Sequence, residues 1–179
     1  MSAAILAPAP TRVLLADPPW MYGDSLPGKG RGAAKVYPCM STPEIARFPL
    51  PVMADDAWLF LWRVHTHQED AAFVMKAWGF HYCGELVWSK RTKNGKQHFG
   101  MGRVLRNSHE ICLIGRRGKP KPNGMSQRSV FEAPVREHSE KPAKQYEIIE
   151  TFSDGPYVEL FSRRARAGWV SYGNEVRSA

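Results

Sequence analysis

The chain has 179 residues, 43% of them hydrophobic, with 25 lysines and arginines against 17 acids and a net charge of +8. That composition excludes a disordered chain, is long enough for one ordinary domain with a real core, and favours an anionic partner such as nucleic acid. Cys39, Cys83 and Cys112 lie far apart, with no Cys-x-x-Cys pair and no histidine at ligand spacing, which excludes a disulfide framework and a structural zinc site.

The opening residues, Met1 to Pro10, are small and apolar but have neither the basic start nor the long apolar stretch of a secretory signal. Residues 1–11 are expected to be loosely ordered. Nothing in the chain approaches the ~20 apolar residues of a membrane span, so a soluble, intracellular, cytoplasmic protein is expected. The apolar run Val13-Leu14-Leu15-Ala16 then stops at Asp17-Pro18-Pro19-Trp20. Proline fixes φ and cannot donate to a sheet ladder, so this reads as a buried strand ending at a rigid loop, with an acid at its carboxyl end. Ligands of open α/β sheets bind at that edge. Asp17 and the Pro18 carbonyl are two acceptors suited to one NH2 group, and Trp20 offers a face on which a base can stack. Together they describe a pocket for an amine on an aromatic ring; a core tryptophan after a proline turn is the plainer reading of the same residues.

Residues 21–40 form a glycine-bearing loop with Lys29, Arg31 and Lys35, expected to lie over the strand edge. Thr42-Pro43-Glu44 starts a short helix, with threonine as cap. Residues 57–62, Ala-Trp-Leu-Phe-Leu-Trp, make a strand buried on both faces. Apolar positions at helical spacing predict a helix over 68–78, stopped by Gly79. A strand follows over 80–88, then a second flexible basic loop, 91–106, whose charge suits a phosphate backbone. A strand over 109–114, a basic loop over 115–128 that adds to the same basic face, and a short strand over 129–133 come next. Ser139-Glu140-Lys141-Pro142 opens a helix running to Phe152, Asp154-Gly155-Pro156 turns it into a strand over 157–161, and 169–174 is a last strand and turn. Alternating strands and helices predict a largely parallel sheet in a single domain spanning 1–179. The Gly-x-Gly-x-x-Gly and Walker signatures are missing.

A second constellation lies late in the chain. Glu159 can take both hydroxyls of a ribose, Arg163 can fork onto a carboxylate or phosphate, and Lys141, at the amino end of its helix, is a point charge for a ligand carboxylate. Asn174 and Glu175 add polar groups for a ribose or an adenine edge.

Taken in order, LADPPW, KVYPCMSTPEI, WLFLW, ELVWSK, NSHEICLIG, EHSEKP and YVELFSRRARAGWVSYGNE resemble the MT-A-70 type N6-adenine methyltransferases over nearly the whole chain, 12–175. The resemblance implies a Rossmann-like class I methyltransferase sheet in permuted order, with the catalytic motif before the cofactor motif, and S-adenosylmethionine as cofactor. Asp17, Pro18, Pro19 and Trp20 become the catalytic loop. Asp17, Lys141, Glu159, Phe161, Arg163, Asn174 and Glu175 become cofactor contacts, and no metal is implied. Lys29, Arg31, Lys35 and Tyr37, with Lys90, Lys93, Lys96, Arg103 and Arg106, become substrate contacts on two gating loops. The stretch Arg164-Ala165-Arg166-Ala167-Gly168 is shorter than in the eukaryotic enzymes and lacks their His-Asn pair. Little sequence precedes the first strand, where longer relatives make a cofactor contact; such brevity resembles microbial or phage members.

The expected activity is methylation of the N6 amine of adenine in nucleic acid, DNA before RNA, with a homodimer or second subunit as partner. The competing expectations are a catalytically silent nucleic-acid-binding subunit and a methyltransferase acting on a protein or small-molecule amine.

Overall fold

In a computed structural model, the described residues are 7–21, 39–102, 104–136 and 140–173. The expected contacts Lys29, Arg31, Lys35, Tyr37, Arg103, Asn174 and Glu175 lie outside them, as does most of the stretch expected to be loose. Thr11, the last of that stretch, already belongs to the first strand, its N–H donating to the Val52 carbonyl at 2.7 Å.

Among the described residues, seven strands form one sheet in the order β5-β3-β4-β2-β1-β6-β7. They are β1 (Thr11–Ala16), β2 (Met53–Arg63), β3 (His81–Arg91), β4 (His109–Arg117), β5 (Val130–Pro134), β6 (Tyr157–Leu160) and β7 (Trp169–Tyr172). β1 pairs in parallel with β2 and β6, β6 with β7, and β3 with β5. β4 is antiparallel to both β2 and β3, so it alone runs against the other six. The largely parallel sheet expected from the alternation is present, with one reversed strand that the apolar pattern did not distinguish.

β1 is an interior strand, paired on both sides and buried on both faces from Val13 to Ala16, as its unbroken apolar run dictates. Side chains alternate, so β2 sends Ala57, Leu59 and Leu61 to one core and Trp58, Phe60 and Trp62 to the other. The first core is covered by helices α1 (Thr42–Ala46) and α2 (Gln68–Ala77), through Ile45, Ala71, Val74 and Met75. The second is covered by α3 (Lys144–Phe152), through Ile149. Among the described residues, no helix is long and apolar enough to cross a membrane. Gly79, at φ +79°, ends α2 in the left-handed region as its position predicts.

Three local expectations change. Ser41, not Thr42, caps α1; the Thr42 hydroxyl instead donates to Asp70 on α2 at 2.7 Å. α3 begins at Lys144 rather than near Ser139, because Pro142 disfavours helical backbone at the residue before it and leaves Lys141 in the preceding loop. Arg116 and Arg117 pair with Trp58 and Ala57 at the amino end of β2, so the basic loop after β4 lies at the edge opposite Asp17 and does not join the same face.

Candidate active site

The chain builds β2 on one side of β1 and returns late to place β6 on the other. Such a switch in strand order opens a crevice at the carboxyl ends of the strands. Leu15 is in register with Glu159 and Ala16 with Leu160, so the acid after β1 and the acid within β6 stand beside the same opening. A cleft of about 360 Å³ occupies it, lined by Asp17, Lys141, Glu159, Phe161 and Arg163 together with Trp62, Gln145 and Tyr146. The structure thus brings together every cofactor contact expected among the described residues.

Lys141 is the hub. Its ammonium donates to Asp17 Oδ2 at 2.6 Å, lies 3.2 Å from Glu110 Oε2, and sits 5.4 Å from the Trp62 ring centroid, with the side chain only 9% exposed. Glu110 in turn pairs with Lys90. Charge therefore alternates along Lys90, Glu110, Lys141 and Asp17. Burial pulls the Lys141 ammonium towards its neutral form, but Asp17 and then Glu110 outweigh burial and hold its pKa above the ordinary lysine value. For Glu110, burial pushes the carboxyl up, and Lys141 and Lys90 bring it below its usual range.

The sequence reading missed Glu110. It reaches this edge because β4 runs backwards, placing its first residues beside the last residues of its neighbours. The signal available was a lone acid directly before the apolar run 111–114.

Glu159 is 7% exposed. The Tyr146 hydroxyl lies 3.1 Å from both of its carboxylate oxygens, and the Ser162 hydroxyl lies 3.0 Å from Oε2. Burial lifts its pKa to about 7, against the opposing pull of the Ser162 and Tyr146 hydrogen bonds. Burial and the Glu159 charge likewise raise Tyr146. Tyr146 lies within the helix that the sequence predicts up to Phe152, where no motif marks it as a cleft residue. Phe161, just past β6, adopts φ +62°, a conformation rare for a bulky side chain, and packs on Phe48 with ring centroids 4.6 Å apart.

The Asp-Pro-Pro-Trp corner departs from expectation at Trp20. Its indole is 4% exposed and donates to the Trp62 carbonyl at 3.0 Å, so it presents no face for stacking a base. An apolar body with one N–H suits a gap beside a sheet carbonyl, and the plainer reading of a core tryptophan is the one observed. The Pro18 carbonyl accepts the Trp20 N–H at 2.9 Å in a three-residue turn, leaving its second lone pair for another donor. The Pro19 carbonyl accepts the Met40 N–H at 2.8 Å, which ties the Asp-Pro-Pro corner to the residues just before α1.

Among the expected substrate contacts, Lys93, Lys96 and Arg106 are exposed on the β3–β4 connection. Lys90 is not part of that set, because its ammonium turns inward to Glu110 and lies 5.0 Å from the Trp88 ring centroid. Nor is the connection featureless. Thr92 N–H donates to the Lys96 carbonyl at 2.7 Å and His98 N–H to the Lys90 carbonyl at 2.9 Å, a hydrogen-bonded turn in place of the expected flexible loop.

An open α/β sheet with a crevice at its switch point, an acid–proline–proline corner on one wall and a buried acid on the other has the layout of a Rossmann-like methyltransferase. The MT-A70 family model matches residues 11–175, and the chain belongs to that family.

A Medicago truncatula protein named a putative N(6)-adenosine-methyltransferase MT-A70-like is 32% identical over 170 residues, covering 92% of this chain and 26% of that protein. The human N(6)-adenosine-methyltransferase catalytic subunit METTL3 is 32% identical over 173 residues, 92% of this chain and 28% of its own length. The type II methyltransferase M.MunI of a Mycoplasma species is 28% identical over 186 residues, 92% of this chain and 77% of its own length. The chain thus spans about a quarter of the plant and human relatives.

Proposed function

We propose that the chain is an S-adenosylmethionine-dependent methyltransferase acting on the N6 amine of adenine in nucleic acid, with DNA as substrate before RNA. The observation that carries this reading is the Asp17–Lys141 pair at the mouth of a cleft that runs to Glu159.

The lining fits the cofactor in size and in chemistry. About 360 Å³ falls within the ~300–1,000 Å³ of small-molecule sites. Lys141 suits a ligand carboxylate, Asp17 a ligand ammonium, Glu159 a pair of ribose hydroxyls, and Phe161 a flat face. Bound there, S-adenosylmethionine supplies a methyl group on a positively charged sulfur.

The chain's own residues do the positioning. Lys141 occupies one oxygen of Asp17 and fixes the carboxylate, leaving its other oxygen as acceptor. That oxygen and the second lone pair of the Pro18 carbonyl accept the two amine hydrogens of adenine. An amine delocalised into its ring is a poor nucleophile; two acceptors favour a tetrahedral nitrogen and aim its lone pair into the cleft. Asp17 need not be a strong base, since the nitrogen becomes acidic only once alkylated. Lys93, Lys96 and Arg106, exposed on the β3–β4 connection, supply positive charge for phosphates.

M.MunI, which this chain matches over most of its length, is a type II methyltransferase, and this supports DNA as the substrate. The human relative is named a catalytic subunit, and we carry over a second subunit or a second copy as partner, with the cytoplasm as the place of action. The test is transfer of labelled methyl to an adenine-containing oligonucleotide by the wild-type chain and Asp17→Ala, with digestion to identify the nucleoside. N6-methyladenine from the wild type and transfer at least about a hundredfold slower in the variant are expected; transfer by Asp17→Ala near the wild-type rate removes Asp17 from the reaction.

A further inference from the structure

The connection from β3 to β4 carries a surface that the cleft does not use. It is rooted on Lys90 and Glu110, whose ion pair continues into Lys141 and Asp17, so it rises from the same sheet edge as the catalytic corner. Its described residues are held by hydrogen bonds within the connection and to the end of β2. Gly100 N–H donates to the Asn107 carbonyl at 3.1 Å, and the Asn107 side chain lies 3.0 Å from His65 Nδ1, just past β2. A Cβ at Gly102 would fall 1.8 Å from the Leu105 carbonyl oxygen, so only glycine permits this close approach.

The connection holds apolar side chains out into solvent. Met101 is 91% exposed, Val104 95% and Leu105 79%. Phe99 is also exposed, with the Arg106 guanidinium 5.1 Å from its ring centroid. A cluster of exposed apolar groups marks a contact surface. On the same connection Lys93, Lys96 and Arg106 are exposed cations, and this charge selects a polyanion as the occupant. Exposed methionine and leucine on a connection that also carries exposed cations suit a duplex, where apolar wedges enter between base steps while basic groups hold phosphates. An adenine amine inside a duplex is out of reach of Asp17 until the base leaves the stack.

We propose that this connection is a stacking wedge for duplex DNA: Met101 and Leu105 enter the helix beside the target adenine while Lys93, Lys96 and Arg106 hold the flanking phosphates. The proposal rests on the adenine-methylating reading above and adds to it the means by which a paired base is reached.

The test compares the full chain with the double variant Met101→Ser, Leu105→Ser. Three deoxyoligonucleotides of one sequence serve as methyl acceptors: a single strand, a duplex, and a duplex with an abasic position opposite the target adenine. The variant is expected to match the wild type on the single strand, to be slower by about tenfold or more on the duplex, and to recover on the abasic duplex, where extrusion costs least. A 2-aminopurine at the target position should brighten when the wild type binds the duplex and stay dim with the variant.

Equal loss on all three substrates, no loss on any, or a wild type that methylates single strands only would overturn the wedge and leave adenine methylation standing. A change from dimer to monomer on introducing the two serines, seen by sedimentation, would assign the surface to a second copy and overturn it likewise. No transfer by the wild type to any of the three would bring down the underlying reading.

Discussion

Glu159→Gln tests whether the floor of the cleft holds a carboxylate against its own solvation. Burial lifts the Glu159 pKa from 4.5 to about 7, and at about 1.4 kcal/mol per pKa unit the ionised form costs the folded state about 3 kcal/mol. The folded state binds the proton more tightly than the unfolded chain, so this contribution to stability falls as pH rises from 4.5 through 7. Between pH 5 and pH 8 the loss is about 2.5 kcal/mol for wild type and absent for the glutamine variant. Replacing the carboxylate also disturbs the Tyr146 and Ser162 hydrogen bonds. That cost hardly changes over this pH range, so it cancels from the difference.

Urea unfolding of both proteins at pH 5, 6, 7 and 8 measures the difference directly. Glutamine should become progressively more stabilising with pH, and a difference flat within about 0.5 kcal/mol would refute the burial argument. Ribose hydroxyls donating to Glu159 need it ionised, so calorimetric affinity for S-adenosylmethionine should strengthen from pH 6 to pH 8 in the wild type and lose that dependence in the variant.

Lys141→Ala leaves Asp17 and Glu110 without their shared cation; a loss of about 3 kcal/mol of stability is expected by chemical denaturation, with cofactor affinity weakened in calorimetry, and unchanged affinity would remove Lys141 from the site. For Glu110, the stabilising contribution is full above the ordinary 4.5 and is lost as pH falls through its lowered folded value. Glu110→Gln should therefore flatten the acid limb of a stability profile between about pH 5 and pH 3, and two superimposable limbs would show that the pairing contributes nothing. Trp20→Phe deletes the donor to the buried Trp62 carbonyl and should cost about 1–3 kcal/mol in thermal unfolding. A raised KM for oligonucleotide without loss of stability would instead restore Trp20 as a stacking surface.

Local chemistry determined much of this protein. An aliphatic run halted by two prolines had to be a strand with an acid at its end, the 57–62 run had to be buried on both faces, and Gly79 had to close a helix. Asp17, Lys141, Glu159 and Arg163 were legible as cleft residues because each sits at a corner of a local motif, whereas Phe161 was implied only by the family resemblance. Only the tertiary structure decided the rest. Whether a strand runs with or against its neighbours leaves no mark on its apolar pattern, yet the reversal of β4 is what carries Glu110 to Lys141 and sends Arg116 and Arg117 to the far edge. Trp20 could stack or pack; the Trp62 carbonyl, 42 residues away, made packing the lower-energy choice. Pairings across that separation depend on which strands become neighbours, and strand order is a property of the whole sheet.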